Sequence, residues 1–136
     1  MTDQITIKKI ELPAPGNIND DIDYICRSFG YFTERDKKDT AGRIFQLIVK
    51  EACGGKKGMT SDEIARRLNL TRGAIVHHLN HFISTGLVIR TRNMYHLRSQ
   101  SLQKSIEEIK EDIDRILAQM LKIASEIDSR LGNPYR

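Results

Sequence analysis

The apolar residues of this chain change their spacing along its length, and each change marks an element. Residues 1–18 show no period and contain Pro13, Pro15 and Gly16, which predicts an extended arm. Ile22, Ile25, Cys26 and Phe29 then recur at helical spacing, with Asn19 or Asp20 as a cap and Gly30 as the stop of a short helix. Residues 33–39 read as a charged connector. Ala41, Ile44, Phe45, Ile48 and Ala52 predict a second helix over 40–52, closed by Gly54-Gly55.

Residues 60–88, TSDEIARRLNLTRGAIVHHLNHFISTGLV, predict two short helices with a break at Asn69. Thr60 and Glu63 have the spacing of a capping box: the hydroxyl accepts from a free backbone N–H, and the acid reaches back to the cap. Ile64, Ala65 and Leu68 face inward, and Arg66 and Arg67 outward. Thr71 caps the next helix, which runs to Thr85. With Ile75 as the inward direction, 100° per residue puts Leu79, Phe82 and Ile83 within about 80° of it. Gly73, His77 and Ser84 fall near the opposite side, flanked by Asn80 and His81. Gly86 supplies a left-handed stop. Residues 87–90 and 95–98 are strand-like, with Arg92-Asn93 between them; Asn tolerates the positive φ of a tight turn.

The last element is the longest. Leu102, Ile106, Ile109, Ile113, Ile116, Met120, Ile123 and Ile127 alternate spacings of four and three, which is a heptad seam. A helix over 102–131 would be roughly 45 Å long at 1.5 Å per residue. So long an apolar stripe does not stay in water alone. About thirty residues exceed what the short helix at 22–29 can cover, so these eight side chains are read as a dimerisation seam. Leu117, Ala124 and Leu131 make the e positions apolar as well, so the stripe is wide enough for more than one neighbour, the helix at 22–29 being the second.

The chain divides into 1–35, an arm and short helix; 36–98, a helical unit with a hairpin; and 99–136, the long amphipathic helix. The net charge of +4 is uneven across these parts. The middle part holds 12 basic and 5 acidic residues, a balance of +7, against −2 before it and −1 after it. A localised basic excess is the electrostatic footprint of a polyanion partner; the plain alternative is a solvated basic surface. No apolar run is long enough to span a membrane, and residues 1–12 lack the unbroken apolar segment of a secretory signal, so the expected location is the cytoplasm. Cys26 and Cys53 have no metal or redox spacing and read as free, reduced core thiols.

His78-Leu79, Phe82, Gly86-Leu87-Val88 and Tyr95-His96-Leu97-Arg98, in an order of helices, hairpin and long helix, resemble the winged helix-turn-helix regulators, most closely the ArsR-like group. The resemblance covers residues 40–100. It implies a mainly α fold with a small β-hairpin wing, a recognition helix in the major groove, and a long C-terminal dimerisation helix. It also implies a transcriptional regulator that binds double-stranded DNA, sequence-specifically or semi-specifically, as a homodimer with two recognition helices about 34 Å apart. The metal-sensing members carry cysteines in the helix before the turn or histidines and acids in the last helix. Residues 61–68 have no cysteine and 102–131 no histidine, so no metal or other cofactor is expected.

The expected DNA-contacting residues are Arg72, Gly73, Val76, His77, Asn80 and His81 on the recognition helix, and Arg90, Arg92 and Arg98 on the wing. Arginine suits this role because its fork matches phosphate and guanine edges. Gly73, Ala74 and Val76 stand where polar residues are common in the family, which leaves few groups for direct reading of base edges. His77 and His81 have the i,i+4 spacing of a metal pair but need at least one more ligand, for which only His78 and His96 remain as histidines. Gly54-Gly55-Lys56-Lys57-Gly58 lacks the spacing and the following hydroxyl of a P-loop, and no nucleophile motif is present, so no enzyme is expected. Two alternatives stay open: a winged-helix protein–protein interaction module, and a repressor that responds to a ligand or metal.

Overall fold

The first helix, α1 (Ile18–Ser28), opens at Asn17 rather than at Asn19 or Asp20. Asn17 Oδ1 accepts from the N–H groups of Asn19 and Asp20 at 2.9 and 3.3 Å. Three cap-competent residues stand nearly in a row, and the one that satisfies two orphan donors wins. The computed structural model describes residues 5–30 and 39–135; the charged connector, Asp39 apart, lies outside them. The arm before α1 has no helix or strand where it is described, and the Lys8 N–H donates to the Ser28 carbonyl at 2.7 Å, tying the arm to the end of α1.

The remaining elements are α2 (Thr40–Cys53), α3 (Ser61–Leu68), α4 (Arg72–Thr85), β1 (Val88–Thr91), β2 (Met94–Leu97) and α5 (Leu102–Arg130). The fold is thus mainly helical with a small antiparallel hairpin, as the hydrophobic pattern predicts. Thr60 Oγ1 accepts from Glu63 N–H at 3.1 Å and opens α3. Glu63 turns its carboxylate to the Lys56 ammonium instead of returning it to the cap. Asn69 takes φ 54, the left-handed conformation that an Asn tolerates, and redirects the chain into α4.

α2 is the centre of the packing. α1, α3, α4 and β2 all rest on it. Ile44 and Phe45 are fully buried, and the Phe45 ring meets that of Phe82 on α4 at 5.6 Å. Ile64, Ile75, Leu79, Leu87, Val88 and Leu97 complete this core, and Cys26 joins it from α1. Cys53 is exposed at the end of α2, against the expectation that both thiols are core residues. The second helix to cover α5 was expected to be α1, but the packing partner that α1 finds is α2.

Each strand is shifted by one residue from its expected place at both ends, and the register pairs Val88 with Leu97 and Thr91 with Met94. Arg92, not Asn93, takes the positive φ of the turn, at 54°. Asn93 instead accepts from Arg90 Nη2 at 2.8 Å. A further rung forms where Met59 and Tyr95 exchange both backbone hydrogen bonds, at 3.0 and 2.7 Å. Gly58 makes this approach possible: at φ 133 it has no Cβ, and one placed there would meet the Tyr95 carbonyl at 3.2 Å.

The start of α5 is pinned by a local serine network. Ser101 Oγ accepts from Lys104 N–H at 3.1 Å. Buried Ser105 donates to the Ser101 carbonyl at 2.7 Å and accepts from Ser99 N–H at 3.0 Å. Ile109 is buried, and Leu102, Ile106 and Ile113 of the same helix are partly buried against the core. From Ile116 onward the stripe is open, with Met120 60% and Leu131 79% exposed. The eight seam residues therefore split: the first four lie against the chain's own core, the last four do not.

Candidate nucleic-acid interface

Helix α4 is held from below and bare above. Ile75, Leu79 and Phe82 are fully buried, while Arg72, Gly73, His77, Asn80 and His81 are exposed and Val76 is half-buried. These six side chains lie within half a turn of one another at 100° per residue, so they form one continuous strip. A Cβ on Gly73 would meet nothing within 4 Å, so the strip is open enough there for a backbone or base edge to approach. Thr71 Oγ1 caps the helix by accepting from Ala74 N–H at 3.3 Å, and Gly86 at φ 89 stops it.

The strip carries little charge of its own. Arg72 is its one arginine, and it stands 3.6 Å from Asp62 of α3, with both side chains more than 70% exposed. An exposed pair of that length is worth little and leaves the guanidinium accessible. His81 is exposed and Ser84 Oγ donates to its carbonyl at 2.7 Å. The His77 and His78 rings meet edge to face at 5.4 Å. Among the described residues no group of three His, Cys, Asp or Glu is placed to hold a metal.

The three wing arginines do not share one projection. Arg92 sits at the exposed tip. Arg90 is exposed beside it, bonded to Asn93 and lying 5.7 Å from the Tyr95 ring centre. Arg98 lies past β2, at the base of the hairpin, and corrects the expectation. Its Nη1 reaches Asp112 Oδ2 of α5 at 2.6 Å, and both side chains are less than a quarter exposed. Arg115 joins the same carboxylate. Arg98 is thus a strap between hairpin and α5, and its charge is already answered. His96 is similarly occupied: its Nδ1 lies 2.9 Å from the Leu97 carbonyl and its Nε2 3.1 Å from Thr91 Oγ1. These partners fit a ring whose Nδ1 donates and whose Nε2 accepts.

Much of the basic excess of the middle part is engaged in this way. Arg67, read as outward, turns back to Glu51 of α2 at 2.7 Å. Arg43 donates to the Leu68 carbonyl at 2.8 Å and so closes the end of α3. Lys50 reaches Asn19 Oδ1 at 2.7 Å. Arg66 and Arg92 are exposed with no ion pair among the described residues. Arg66, on the outer side of α3, is a phosphate-reaching candidate that sequence reasoning placed outward without assigning it a role. A cleft of about 690 Å³ opens between the end of α2 and β2, lined by Lys56, Lys57, His96 and Arg98. Two of those cations are already paired, with Glu63 and Asp112.

The hydrogen bond from Arg98 holds the Asp112 carboxyl below its ordinary value of 3.8, with the charges of Arg98 and Arg115 acting in the same direction. A depressed carboxylate stabilises the fold above its unfolded value and loses that contribution as pH falls through the folded one. The strap should therefore be intact at pH 7 and fail only below about pH 4. Asp112→Asn should lower the melting temperature more at pH 7 than near pH 3. An equal deficit at both pH values would show that charge is not what the pair contributes.

No helix among the described residues is long and apolar enough to cross a membrane. Comparison with protein-family models, with curated proteins and with solved structures yields no match for this chain.

Proposed function

We propose that this chain is a transcription regulator of the winged helix-turn-helix kind, acting as a homodimer on double-stranded DNA by binding and not by catalysis. The observation that carries the reading is the pairing of an α4 seated on buried Ile75, Leu79 and Phe82, with Arg72, Gly73, His77, Asn80 and His81 exposed and Val76 half-buried among them, with a hairpin tip that carries Arg90 and Arg92. A helix about 10–12 Å across fits the major groove, which is ≈ 12 Å wide, and the wing arginines grip backbone or minor groove beside it. His77 and Asn80 supply hydrogen bonds toward base edges, and Arg72 reaches a phosphate or a guanine. With Gly73 and Val76 offering no side-chain donor, much of the affinity comes from phosphates and from shape.

Arg92→Ala and Arg72→Ala should each weaken binding to duplex DNA about tenfold. Each should also flatten the dependence of log affinity on log salt by about one unit for every phosphate that is no longer neutralised. Arg98→Ala should change the melting temperature more than the salt slope, because its partner is Asp112. Fluorescence anisotropy on a labelled duplex over a range of salt concentrations reads affinity and slope, and a thermal melt reads the third effect. Affinity unchanged in both Arg72→Ala and Arg92→Ala would sink this placement of the interface.

A further inference from the structure

The exposed half of α5 continues the face by which the helix packs on its own core. Ile109 is 1% exposed against its own domain, whereas Ile116, Met120, Ile123 and Ile127 are 48, 60, 53 and 50% exposed. At 100° per residue these four fall within about 40° of Ile109, so the covered and open halves lie along one line on the same face of the helix. Leu117 and Leu131 widen the open half, whereas Leu121 lies about 120° from this line. Six large side chains, each about half exposed or more, bring on the order of 600 Å² per copy, against the ~800 Å² per partner of a standard interface.

Charge favours a copy of this chain over other occupants. Asp114, Arg115, Lys122, Glu126, Asp128 and Arg130 cancel over this half. It therefore has no net pull toward an acidic or basic partner, or toward an anionic lipid surface. Parallel pairing meets a steric obstacle. Each domain occupies the same face of α5 that would have to meet the partner helix, so two domains would compete for the space between the helices. Antiparallel pairing removes the conflict, because each domain then lies beyond the partner's C-terminal end.

We infer that the outer halves of α5 from two copies pair antiparallel, with Ile116 opposite the partner's Ile127 and Met120 opposite the partner's Ile123. Leu117 then flanks the partner's Ala124, and Gln119 the partner's Glu126, so the flanks bring no like charges together. The two Ile109 anchors lie roughly 38 Å apart along the stalk at 1.5 Å per residue. The inference rests on the homodimer of the proposed function and adds its orientation, its register and the half of α5 that it uses.

Cysteine crosslinking tests it on the full chain in a Cys53→Ser background. Cys26 is 1% exposed and can stay. Ile116→Cys and Ile127→Cys chains are prepared separately, checked for unchanged melting of the domain, and oxidised with copper phenanthroline alone and after mixing and re-equilibration. The expected result is a disulfide dimer in the mixture and almost none in either preparation alone. Disulfides in the separate preparations would overturn the antiparallel arrangement and leave the dimer standing. So would their absence from a mixture that sediments as a dimer. Wild-type protein sedimenting as a monomer at tens of micromolar would remove the dimer itself.

Discussion

Ile123→Asp is expected to convert the protein from dimer to monomer without unfolding its domain. Ile123 is 53% exposed on the open half of α5, so a carboxylate there stays in water in the monomer and is buried only on association. Losing the second copy removes the gain in effective concentration, so affinity for a duplex with two half-sites should fall on the order of a hundredfold or more. Sedimentation equilibrium and anisotropy read the two effects separately. The control lies on the same stripe: Ile109→Asp buries an unpaired charge among core residues and should unfold the domain. If Ile123→Asp leaves the mass and the affinity unchanged, the open stripe is not a dimer seam.

Phe82→Ala should have the largest effect on stability. Its side chain is fully buried and meets Phe45 at 5.6 Å, so it is the bolt between α4 and α2. Truncating a buried Phe costs about 3–5 kcal/mol, against a total of roughly 5–15 kcal/mol for a domain. The melting temperature should drop by at least about 12 °C. His77→Ala, on the opposite face of the same helix, should stay within about 0.5 kcal/mol of wild type. Thermal melts by circular dichroism decide this. A tolerant Phe82 together with a sensitive His77 would mean that α4 is seated the other way round.

How much of this was legible in the sequence depends on the distance over which each feature is decided. Thr60, Thr71, Asn69 and Gly86 act on their own neighbours, and the ends of α3 and α4 fall where these residues put them. The inward set Ile75, Leu79 and Phe82 follows from period alone. Arg98 is different: its partner, Asp112, is 14 residues away on another helix, and nothing in the local pattern separates a wing arginine from a strap. The Met59–Tyr95 rung is a single residue pair with no period to announce it. The turn shows a limit of propensity, because Asn93 bonds Arg90 and leaves the positive φ to Arg92. The heptad names the apolar positions of α5, but where the domain stops covering them depends on how α5 packs on the core at Ile109 and Ile113.

DNA binding is most directly tested by titrating the wild-type protein onto a random duplex and measuring how its affinity changes with salt. Arg72, Arg90 and Arg92 from two copies give six phosphate contacts, and at about −0.9 each the slope of log affinity against log salt should be near −5. A steep slope of that size, with micromolar or tighter binding at low salt, is the result predicted here. Negligible binding at low salt, or a slope near zero, would contradict it and leave a module that meets other proteins.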